Sequence, residues 1–510
     1  MLEKMLLQSA KKYSDKTAIV YEERRISYQD LYDQVNSLSQ GLNSLGVSQG
    51  DCVTILLPNC PEFVISFYAI TKLNAIVLPL NHLFKQEEIK YYINDSQTQV
   101  IITDQKRAEI CRQILSKLER KIELVTIDES VASATYFYDF IEANERKIQD
   151  IKSSFEGEAI YQYSSGSTGR PKRVCRTQEN LYHEAQNFTA TANVNSSDNI
   201  LCLVPLYHAH GLGNCLLAAI SNGATLVILE QSLQNGIPVE VPFVFKLLRV
   251  LELITTEKIT ILPAVPYIFK TLADAPAQVE ADVSSLRLVF SAGNFLSKET
   301  FERFLQRFNL PIRQLYGCTE AGSIAINLDA EPTKTYNSVG MPMANVEIKI
   351  LDAQDNELPI NVTGEVVIKS KTLTRGYHNL PELNQQAFKD NMFFTGDLGK
   401  KDSCGRLYIT GRKKILIDTG GRKVDPIEIE DVLIANPKIK EAVVVGVKGS
   451  FAGEIIKAVL VTEQQSNCAE NEISAYCKER LAEFKIPKII EFRNEIPKSP
   501  LGKILRKELV

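Results

Sequence analysis

Apolar strands alternate with helices from residue 51 onward, and this rhythm restricts the possible folds more than any other feature of the sequence. Val53–Leu57 is predicted as a buried strand, Glu62–Leu73 as a helix and Ile76–Leu80 as the next strand. The rhythm returns after residue 200, and it is clearest where a helix separates the predicted strands Leu286–Phe290 and Ile312–Tyr316. Because parallel strands need such crossovers, we expect an α/β fold with parallel-rich sheets covered by helices.

The pattern of predicted secondary structure changes twice in the second half of the chain. Short alternating strands with Gly and Asp turns follow residue 330 and predict a β-rich subdomain. Beyond residue 411 a compact α+β pattern predicts a small, mobile C-terminal domain. We therefore expect a large N-terminal domain at residues 1–411 and a lid domain at residues 412–510. Residues 104–158 are polar and are interpreted as irregular.

Composition excludes several classes of protein. The 510 residues include 58 basic and 62 acidic side chains, so the net charge of −4 gives no argument for a nucleic-acid partner. Ten cysteines without a Cys-x-x-Cys pair are typical of free thiols in a reducing compartment and argue against a zinc site. Neither a signal peptide nor an apolar run long enough to span a bilayer is evident, so a cytoplasmic location without an integral membrane segment is expected.

A Ser/Gly-rich loop, Tyr-Ser-Ser-Gly-Ser-Thr-Gly-Arg-Pro-Lys from Tyr163 to Lys172, follows a short alternating strand. Glycines let backbone amides approach an anion, hydroxyls donate to it, and a lysine supplies charge. The spacing differs from the ordinary nucleotide P-loop, since no Ser or Thr follows the lysine. A flexible linker is the alternative interpretation. The residues predicted to cradle phosphate are Ser165, Gly166, Ser167, Thr168, Gly169 and Lys172.

The segment Tyr316-Gly-Cys-Thr-Glu320 follows a predicted strand, as Ser291-Ala-Gly-Asn294 follows its parallel neighbour. Open α/β sheets bind ligands at the carboxyl ends of such strands. An aromatic ring can stack on a base, a hydroxyl can bind a phosphate oxygen, and a carboxylate can bind Mg²⁺. The alternative is a core tyrosine beside a solvated acid.

Four further pieces are ambiguous by themselves. Asp397, in Thr395-Gly-Asp, is predicted in a tight turn after a strand, where it can accept from ribose hydroxyls or be a simple turn residue. Gly411-Arg-Lys-Lys414 and the nearby Gly420-Gly421 fit an interdomain turn, and Lys503 lies in a basic tail that can be a solvated end. His208 has a second histidine two residues away but no third ligand of suitable spacing, which favours a ring lining a pocket over a metal site.

Taken in order, these pieces resemble the adenylate-forming superfamily of acyl-CoA synthetases, adenylation domains and luciferases, over essentially the whole chain. The resemblance is carried by Ser164–Lys172, Tyr316–Glu320, Thr395–Asp397, Gly411–Arg412 and Gly502–Lys503. It implies that a carboxylic acid attacks the α-phosphate of ATP to give an acyl adenylate and pyrophosphate. A thiol, of CoA or of a carrier protein's phosphopantetheine, then displaces AMP.

The resemblance also implies a role for each matching residue. It places residues 165–172 around the β- and γ-phosphates and Tyr316 on adenine beside Gly293 and Asn294. It implies that Thr319 holds the α-phosphate, Glu320 binds Mg²⁺, and Asp397 takes the ribose hydroxyls with help from Arg412. Lys503 is the implied catalytic lysine, Lys414 the hinge, and Gly420 and Gly421 the lining of a thiol tunnel.

The acid and the acceptor are less constrained. His208 matches the family's acyl-pocket motif, and Pro205-Leu-Tyr-His lacks the Asp that holds a substrate amine in amino-acid-activating members. The mostly apolar segments 211–217 and 291–295 favour a fatty or aryl acid. Arg173, Cys175 and Asn74 depart from the family pattern, so loading of an acyl carrier protein is an alternative to CoA ligation. A non-catalytic adenylate sensor would predict damage at Lys503, Glu320 or Thr168, and all three are present.

Overall fold

The computed structural model describes most of the chain. The described residues are 1–84, 86–129, 131, 134–143, 157–164, 171–234, 237–239, 241, 243–276, 278–279, 281–412, 417–418, 423–424, 426–448, 454–463, 468–481, 483–499 and 504–510. They divide into two compact units. The first unit comprises Met1–Lys349, Val367–Phe394 and Lys401–Tyr408, and the second comprises Ile350–Val366, Thr395–Lys400 and Ile409–Val510. The predicted boundary after residue 411 stays a prediction.

The first unit contains a nine-stranded sheet. Its strands, in spatial order, are Met341–Pro342, Gly322–Ile326, Arg313–Cys318, Leu288–Ser291, Ile261–Ala264, Asn199–Cys202, Thr225–Ile228, Thr17–Tyr21 and Arg24–Ser27. The six central strands run parallel, and the strands at both ends are antiparallel. The predicted crossover is confirmed, because Phe290 pairs with Arg313 and Ser291 with Gln314 in parallel register.

A seven-stranded sheet lies in the same unit. Its spatial order is Thr135–Tyr136, Glu123–Thr126, Val100–Thr103, Cys52–Leu56, Ile76–Pro79, Glu158–Ser164 and Lys172–Thr177. All neighbours are parallel except the last pair, which forms an antiparallel hairpin. A hairpin of Ser232–Gln234 and Ile237–Val239 stands apart from both large sheets.

Helices cover these sheets and fill the space around them. The α-helices of the first unit are Leu2–Lys12, Tyr28–Ser44, Pro61–Lys72, Gln86–Ser96, Gln105–Leu115, Phe137–Ala143, Gln178–Ala192, Ala209–Gly211, Ala218–Ser221, Leu247–Thr256, Pro266–Ala273, Lys298–Phe308 and Pro381–Ala387. A π-helix, Leu212–Leu217, joins two of them, and the 3₁₀ turn Phe243–Lys246 precedes another. Helix Pro61–Lys72 is buried along nearly its whole length and packs in the main hydrophobic core. This arrangement confirms the predicted α/β class.

Side-chain caps explain where several helices begin. Ser27 and Thr177 each accept from the backbone N–H three residues on and form capping boxes, and Ser297 caps the crossover helix as the sequence indicates. Asp104 likewise caps Gln105–Leu115. The interpretation of residues 104–158 as irregular is therefore wrong for its first part, because a capped helix packs Ala108, Cys111 and Ile114 into the core.

Strands Glu347–Leu351, Gly364–Lys369, Phe388–Lys389, Met392–Lys401 and Leu407–Arg412 form a further sheet. The C-terminal part of the second unit has the predicted α+β pattern. Ile439–Lys448 pairs antiparallel with Glu454–Thr462, which pairs parallel with Ile489–Phe492. Its other elements are the short strands Ile417–Asp418 and Lys423–Val424, the helices Pro426–Ile434 and Glu470–Lys478, and the 3₁₀ turns Glu483–Lys485 and Arg506–Leu509. Among the described residues, none of the helices combines the length and apolar character needed to cross a bilayer.

Candidate active site

Two predicted ligand-binding segments leave the nine-stranded sheet at the same edge, because their strands are parallel neighbours. Gly293 and Asn294 are exposed there, and Tyr316 is half-buried. Gly293 has a φ of +84°, and a Cβ added to it would find its nearest neighbour, Val265 Cγ1, only 4.0 Å away. The backbone is therefore open to a flat ligand at this point, as the predicted adenine site requires.

The predicted site segment after Tyr316 forms a tight hairpin. Strand Arg313–Cys318 turns back into Gly322–Ile326, with Cys318 opposite Gly322. Gly317 approaches this partner so closely that an added Cβ would lie 2.6 Å from the Gly322 carbonyl oxygen. Thr319 and Glu320 therefore lie in the turn of the hairpin.

Glu320 is buried, and a hydrogen bond holds its carboxylate. The Tyr377 hydroxyl donates to Oε1 over 2.9 Å, and the Thr374 N–H donates to the Glu320 carbonyl over 2.8 Å. Tyr377 was not among the residues that sequence reasoning selected. It lies in the first unit, where an isolated bridge pairs it with Val174 and the His378 N–H donates to the Arg173 carbonyl over 3.0 Å.

Lys172 contacts the same tyrosine. It opens the edge strand Lys172–Thr177 opposite Ser164, and its Nζ lies 4.9 Å from the centre of the Tyr377 ring. A cation over an aromatic face is attracted to the ring quadrupole. One side chain thus links an ammonium group and a carboxylate that lie nearly 150 residues apart in the sequence.

His208 and His210 have different surroundings. His208 is exposed at the start of helix Ala209–Gly211, and its Nδ1 accepts from the His210 N–H over 3.2 Å. His210 is buried and lies 3.2 Å from the Ala264 carbonyl through Nε2 and 2.8 Å from the Asn214 amide nitrogen through Nδ1. Burial, together with the neighbouring His208, lowers the pKa of His210 to about 4.

A polar chain therefore runs through the apolar core beside the hairpin. Ser323 Oγ donates to Asn214 Oδ1 over 2.7 Å, and Asn214 Nδ2 donates to the neutral His210 ring. The ring then donates from Nε2 to Ala264. Asn214 lies in the π-helix Leu212–Leu217, an element that is frequent at functional sites. This helix belongs to the segment predicted to line the acyl pocket, and all of its residues are buried.

A buried ion pair supports the same region. Arg176 and Glu184 lie 2.7 Å apart, and each side chain is 1% exposed. The carboxylate packs against two glycines: a Cβ at Gly213 would lie 2.2 Å from its Oε1, and a Cβ at Gly322 would lie 2.3 Å from its Cδ. The pair therefore joins the edge strand of one sheet, the π-helix and the site hairpin.

In the second unit, Asp397 is buried and forms an ion pair with Arg412, whose side chain is about half exposed. The predicted tight turn after a strand is wrong, because Thr395–Asp397 lies inside strand Met392–Lys401. Gly396 has a φ of +73°, which interrupts the strand's regular geometry. The Thr395 hydroxyl donates to the Val366 carbonyl over 2.7 Å, and the Asp397 N–H donates to that hydroxyl over 3.0 Å. These bonds hold the backbone at Asp397, and Arg412 contacts the carboxylate that sequence reasoning assigns to ribose.

Several predicted site residues lie outside the described residues. They are Ser165, Gly166, Ser167, Thr168, Gly169, Lys414, Gly420, Gly421 and Lys503. Their roles stay predictions.

Arg173 is one of the three residues that depart from the family pattern and leave the acceptor open, and it is not a surface residue. Its side chain is 6% exposed and lies 3.6 Å from the Asp95 carboxylate. Its guanidinium carbon lies 4.6 Å from the centre of the Tyr161 ring. Such a buried side chain cannot form an altered docking surface by itself.

Comparisons with known proteins agree over the whole length. The profile of the AMP-binding enzymes matches residues 6–378, and that of the AMP-binding enzyme C-terminal domain matches residues 428–503. A 4-coumarate–CoA ligase of Solanum tuberosum is 32% identical over 498 residues, which cover 96% of this chain and 89% of that protein. A long-chain-fatty-acid–CoA ligase of Bacillus subtilis is 29% identical over 538 residues, covering 100% and 94%. A crystal structure of an anthranilate CoA ligase with anthranoyl-AMP superposes with a TM-score of 0.86 at 27% identity, covering 100% of this chain and 96% of that one.

Proposed function

Because the chain belongs to the AMP-binding enzyme family, we propose that it activates a carboxylic acid with ATP and transfers the acyl group to CoA. The predicted family and the predicted enzyme class, an AMP-forming acid–thiol ligase, are confirmed by these matches. In the first half-reaction a carboxylate oxygen bonds to the α-phosphorus and pyrophosphate leaves. In the second, a thiol loses its proton, its sulfur bonds to the carbonyl carbon, and AMP leaves.

The observation that carries the proposal is that residues of two predicted motifs contact the same side chain. Lys172, at the end of the phosphate loop, and Glu320, in the hairpin, both contact Tyr377. A phosphate cradle needs a cation and a metal-binding carboxylate close together, because both must act on one triphosphate. A solvated loop acid and a linker lysine would have no reason to meet at one buried ring.

The surroundings of Glu320 fit Mg²⁺. Its Oε1 is held by the Tyr377 hydroxyl, and no other side chain in the described part of the chain bonds to the carboxylate. A hard cation prefers such an oriented oxygen ligand and keeps several of its waters. In this proposal, bound Mg²⁺ would neutralise phosphate charge, and Tyr377 would keep the carboxylate aimed at it.

The other predicted roles are part of the proposal. Residues 165–169 and Lys172 would hold the β- and γ-phosphates, and Thr319 the α-phosphate. Tyr316 would stack on adenine beside Gly293 and Asn294, and Asp397 with Arg412 would bind the ribose. Lys503 would stabilise the charge that develops as the carboxylate meets phosphorus, which is an electrostatic role. Lys414 would be the hinge, and Gly420 with Gly421 would line the thiol tunnel.

We propose a fatty or aryl acid as the substrate. The segment 211–217 is buried and mostly apolar, and an apolar lining favours such acids over dicarboxylates. Two relatives, a 4-coumarate–CoA ligase and a long-chain-fatty-acid–CoA ligase, represent the two classes. His208 would lie at the mouth of this pocket, and the buried His210 would hold the lining in place through Asn214.

CoA is the proposed acceptor, with a phosphopantetheinylated carrier protein as the alternative. The acceptor changes neither the adenylation chemistry nor its residues. The cytoplasmic location predicted from the sequence stays a prediction.

The test is ATP-dependent thioester formation with a panel of fatty and aryl acids, offering CoA and a phosphopantetheinylated carrier protein separately. Pyrophosphate release is measured in parallel. We expect pyrophosphate and an acyl-CoA with at least one acid. Product on the carrier alone would replace CoA as the acceptor, and no pyrophosphate with any acid would favour the sensor alternative.

A variant pair tests the assignment of the catalytic lysine. Lys503→Ala should lower adenylation by about 100-fold or more, since the loss of one charge-stabilising donor has this effect. It should still form thioester from supplied acyl adenylate. Lys507→Ala removes an exposed lysine of the same tail and should leave both half-reactions unchanged. Adenylation that survives the Lys503 substitution would contradict the assignment.

A further inference from the structure

Three potential metal ligands lie close together beside strand Lys172–Thr177. A carboxylate oxygen of Glu158, the thiol of Cys175 and a ring nitrogen of His378 all lie within 4.8 Å of one another. They are the only such group of three or more found among the described residues. None of the three is among the residues assigned to ATP or the acid.

Backbone pairing fixes the positions of these ligands. Glu158 and Cys175 lie on the antiparallel strands Glu158–Ser164 and Lys172–Thr177, with Tyr161 opposite Cys175. His378 is held against the second strand, since its N–H donates to the Arg173 carbonyl over 3.0 Å. The three ligands therefore come from three chain segments that hydrogen bonds already hold together.

The donor set is one that zinc prefers. Zn²⁺ binds thiolate, imidazole and carboxylate at about 2.0 to 2.3 Å in tetrahedral geometry, which places ligand atoms roughly 3.5 Å apart. Small side-chain rotations reach that spacing from the observed separation. We propose that Glu158, Cys175 and His378 bind one Zn²⁺ ion, with water as the fourth ligand.

Neighbouring groups support this assignment. The Tyr161 hydroxyl donates to Glu158 Oε2 over 2.6 Å, an outer contact that orients a ligating carboxylate and leaves its second oxygen for the metal. Arg173 is a nearby cation on this strand face, and Asp95 offsets it through its carboxylate and through its backbone carbonyl, which accepts from Nη1 over 2.7 Å. A thiolate and a carboxylate together neutralise a divalent cation, so the occupied site would carry no net charge.

The test is metal content of the full chain after equilibrium dialysis against buffered Zn²⁺ in the micromolar range. We expect one zinc per chain. Cobalt(II) loaded in its place should give the intense thiolate charge-transfer absorption and the visible bands of a tetrahedral site. Cys175→Ser, His378→Ala and Glu158→Gln should each weaken zinc binding by more than about 10-fold, because changes outside the ligand shell already cost that much.

Matched controls separate this site from other residues of the same kinds. Cys111→Ser removes another buried thiol, and His183→Ala removes another histidine. Both should keep one zinc and the cobalt spectrum. Far-UV circular dichroism identifies any variant that fails to fold, and His378, the most exposed of the three ligands, is the position where substitution disturbs packing least. A wild-type chain that retains no zinc, or ligand variants that bind it as tightly as the wild type, would overturn the proposal.

Discussion

The buried pair of Arg176 and Glu184 provides a direct test of how this site is supported. Both side chains are 1% exposed, and a hydrogen bond of 2.7 Å joins them. Three of their other polar atoms, Arg176 Nε and Nη1 and Glu184 Oε1, are buried and have no hydrogen-bond partner among the described residues. Glu184→Gln therefore leaves a guanidinium buried and uncompensated, and we expect the free energy of unfolding to fall by about 3 to 5 kcal/mol.

The double variant Arg176→Met/Glu184→Leu distinguishes lost charge balance from lost packing. It removes both charges and keeps similar volumes, so its free energy of unfolding should lie within about 1 kcal/mol of the wild type or above it. The exposed pair Arg303 and Glu299 is the matched control. Glu299→Gln should cost less than about 1 kcal/mol, because water already screens such a pair.

Urea unfolding measures these differences by far-UV circular dichroism and by tyrosine fluorescence, since the chain has no tryptophan. The chain has two units, so a single transition is fitted only where both probes coincide. The reasoning is refuted if Glu184→Gln unfolds within about 1 kcal/mol of the wild type. It is equally refuted if the double variant loses as much free energy of unfolding as the single variants Arg176→Met and Glu184→Leu lose together.

Three further predictions concern the site. Tyr377→Phe removes the hydrogen bond to Glu320 but keeps the ring under Lys172, so adenylation should slow by about 10-fold or more and need more Mg²⁺ at half-maximal rate. The pKa of His210 is about 4 in the folded chain, against an ordinary value of 6.5. The unfolded chain therefore takes up this proton first, so the contribution of the neutral ring to stability is fully present above pH 6.5 and is lost as the pH falls toward 4. Urea unfolding should show about 2 kcal/mol of this loss between pH 7 and pH 5, and His210→Gln should lack it. Asp397→Asn should raise the KM for ATP about 10-fold with little change in the KM for the acid, and steady-state kinetics would detect any other pattern.

Strong periodicity explains what the sequence predicted well. The crossover helix Lys298–Phe308 has apolar residues at helical spacing and a Ser297 cap, and the strands on each side are continuous apolar runs. Segment 104–158 has weaker strand signals, since its described strands Glu123–Thr126 and Thr135–Tyr136 span only four and two residues. A signal existed at its start, where Asp104 precedes Ala108 and Cys111 at helical spacing, so the capped helix was predictable.

Long-range contacts account for what the sequence could not predict. No motif marks Tyr377, and it reaches Lys172 and Glu320 through long-range backbone contacts, among them its bridge to Val174. The sequence predicts a role for His208 but none for His210, because spacing alone does not show which of two histidines in one motif is buried. The prediction of a tight turn at Thr395–Asp397 is wrong because Gly and Asp can also lie inside a strand.

The edge strand Lys172–Thr177 shows why the departures from the family pattern are compatible with its chemistry. Successive side chains of a strand point to opposite faces. Arg173 and Cys175 share the face that meets Tyr161 and Glu158, whereas Lys172 and Arg176 belong to the alternate positions, which contact Tyr377 and Glu184. The prediction against a zinc site considered only spacing between cysteines, and no spacing could reveal ligands at positions 158, 175 and 378. Since the proposed metal lies on one face and the proposed phosphate contact belongs to the other, Cys175→Ser should weaken zinc binding without removing the lysine that adenylation needs.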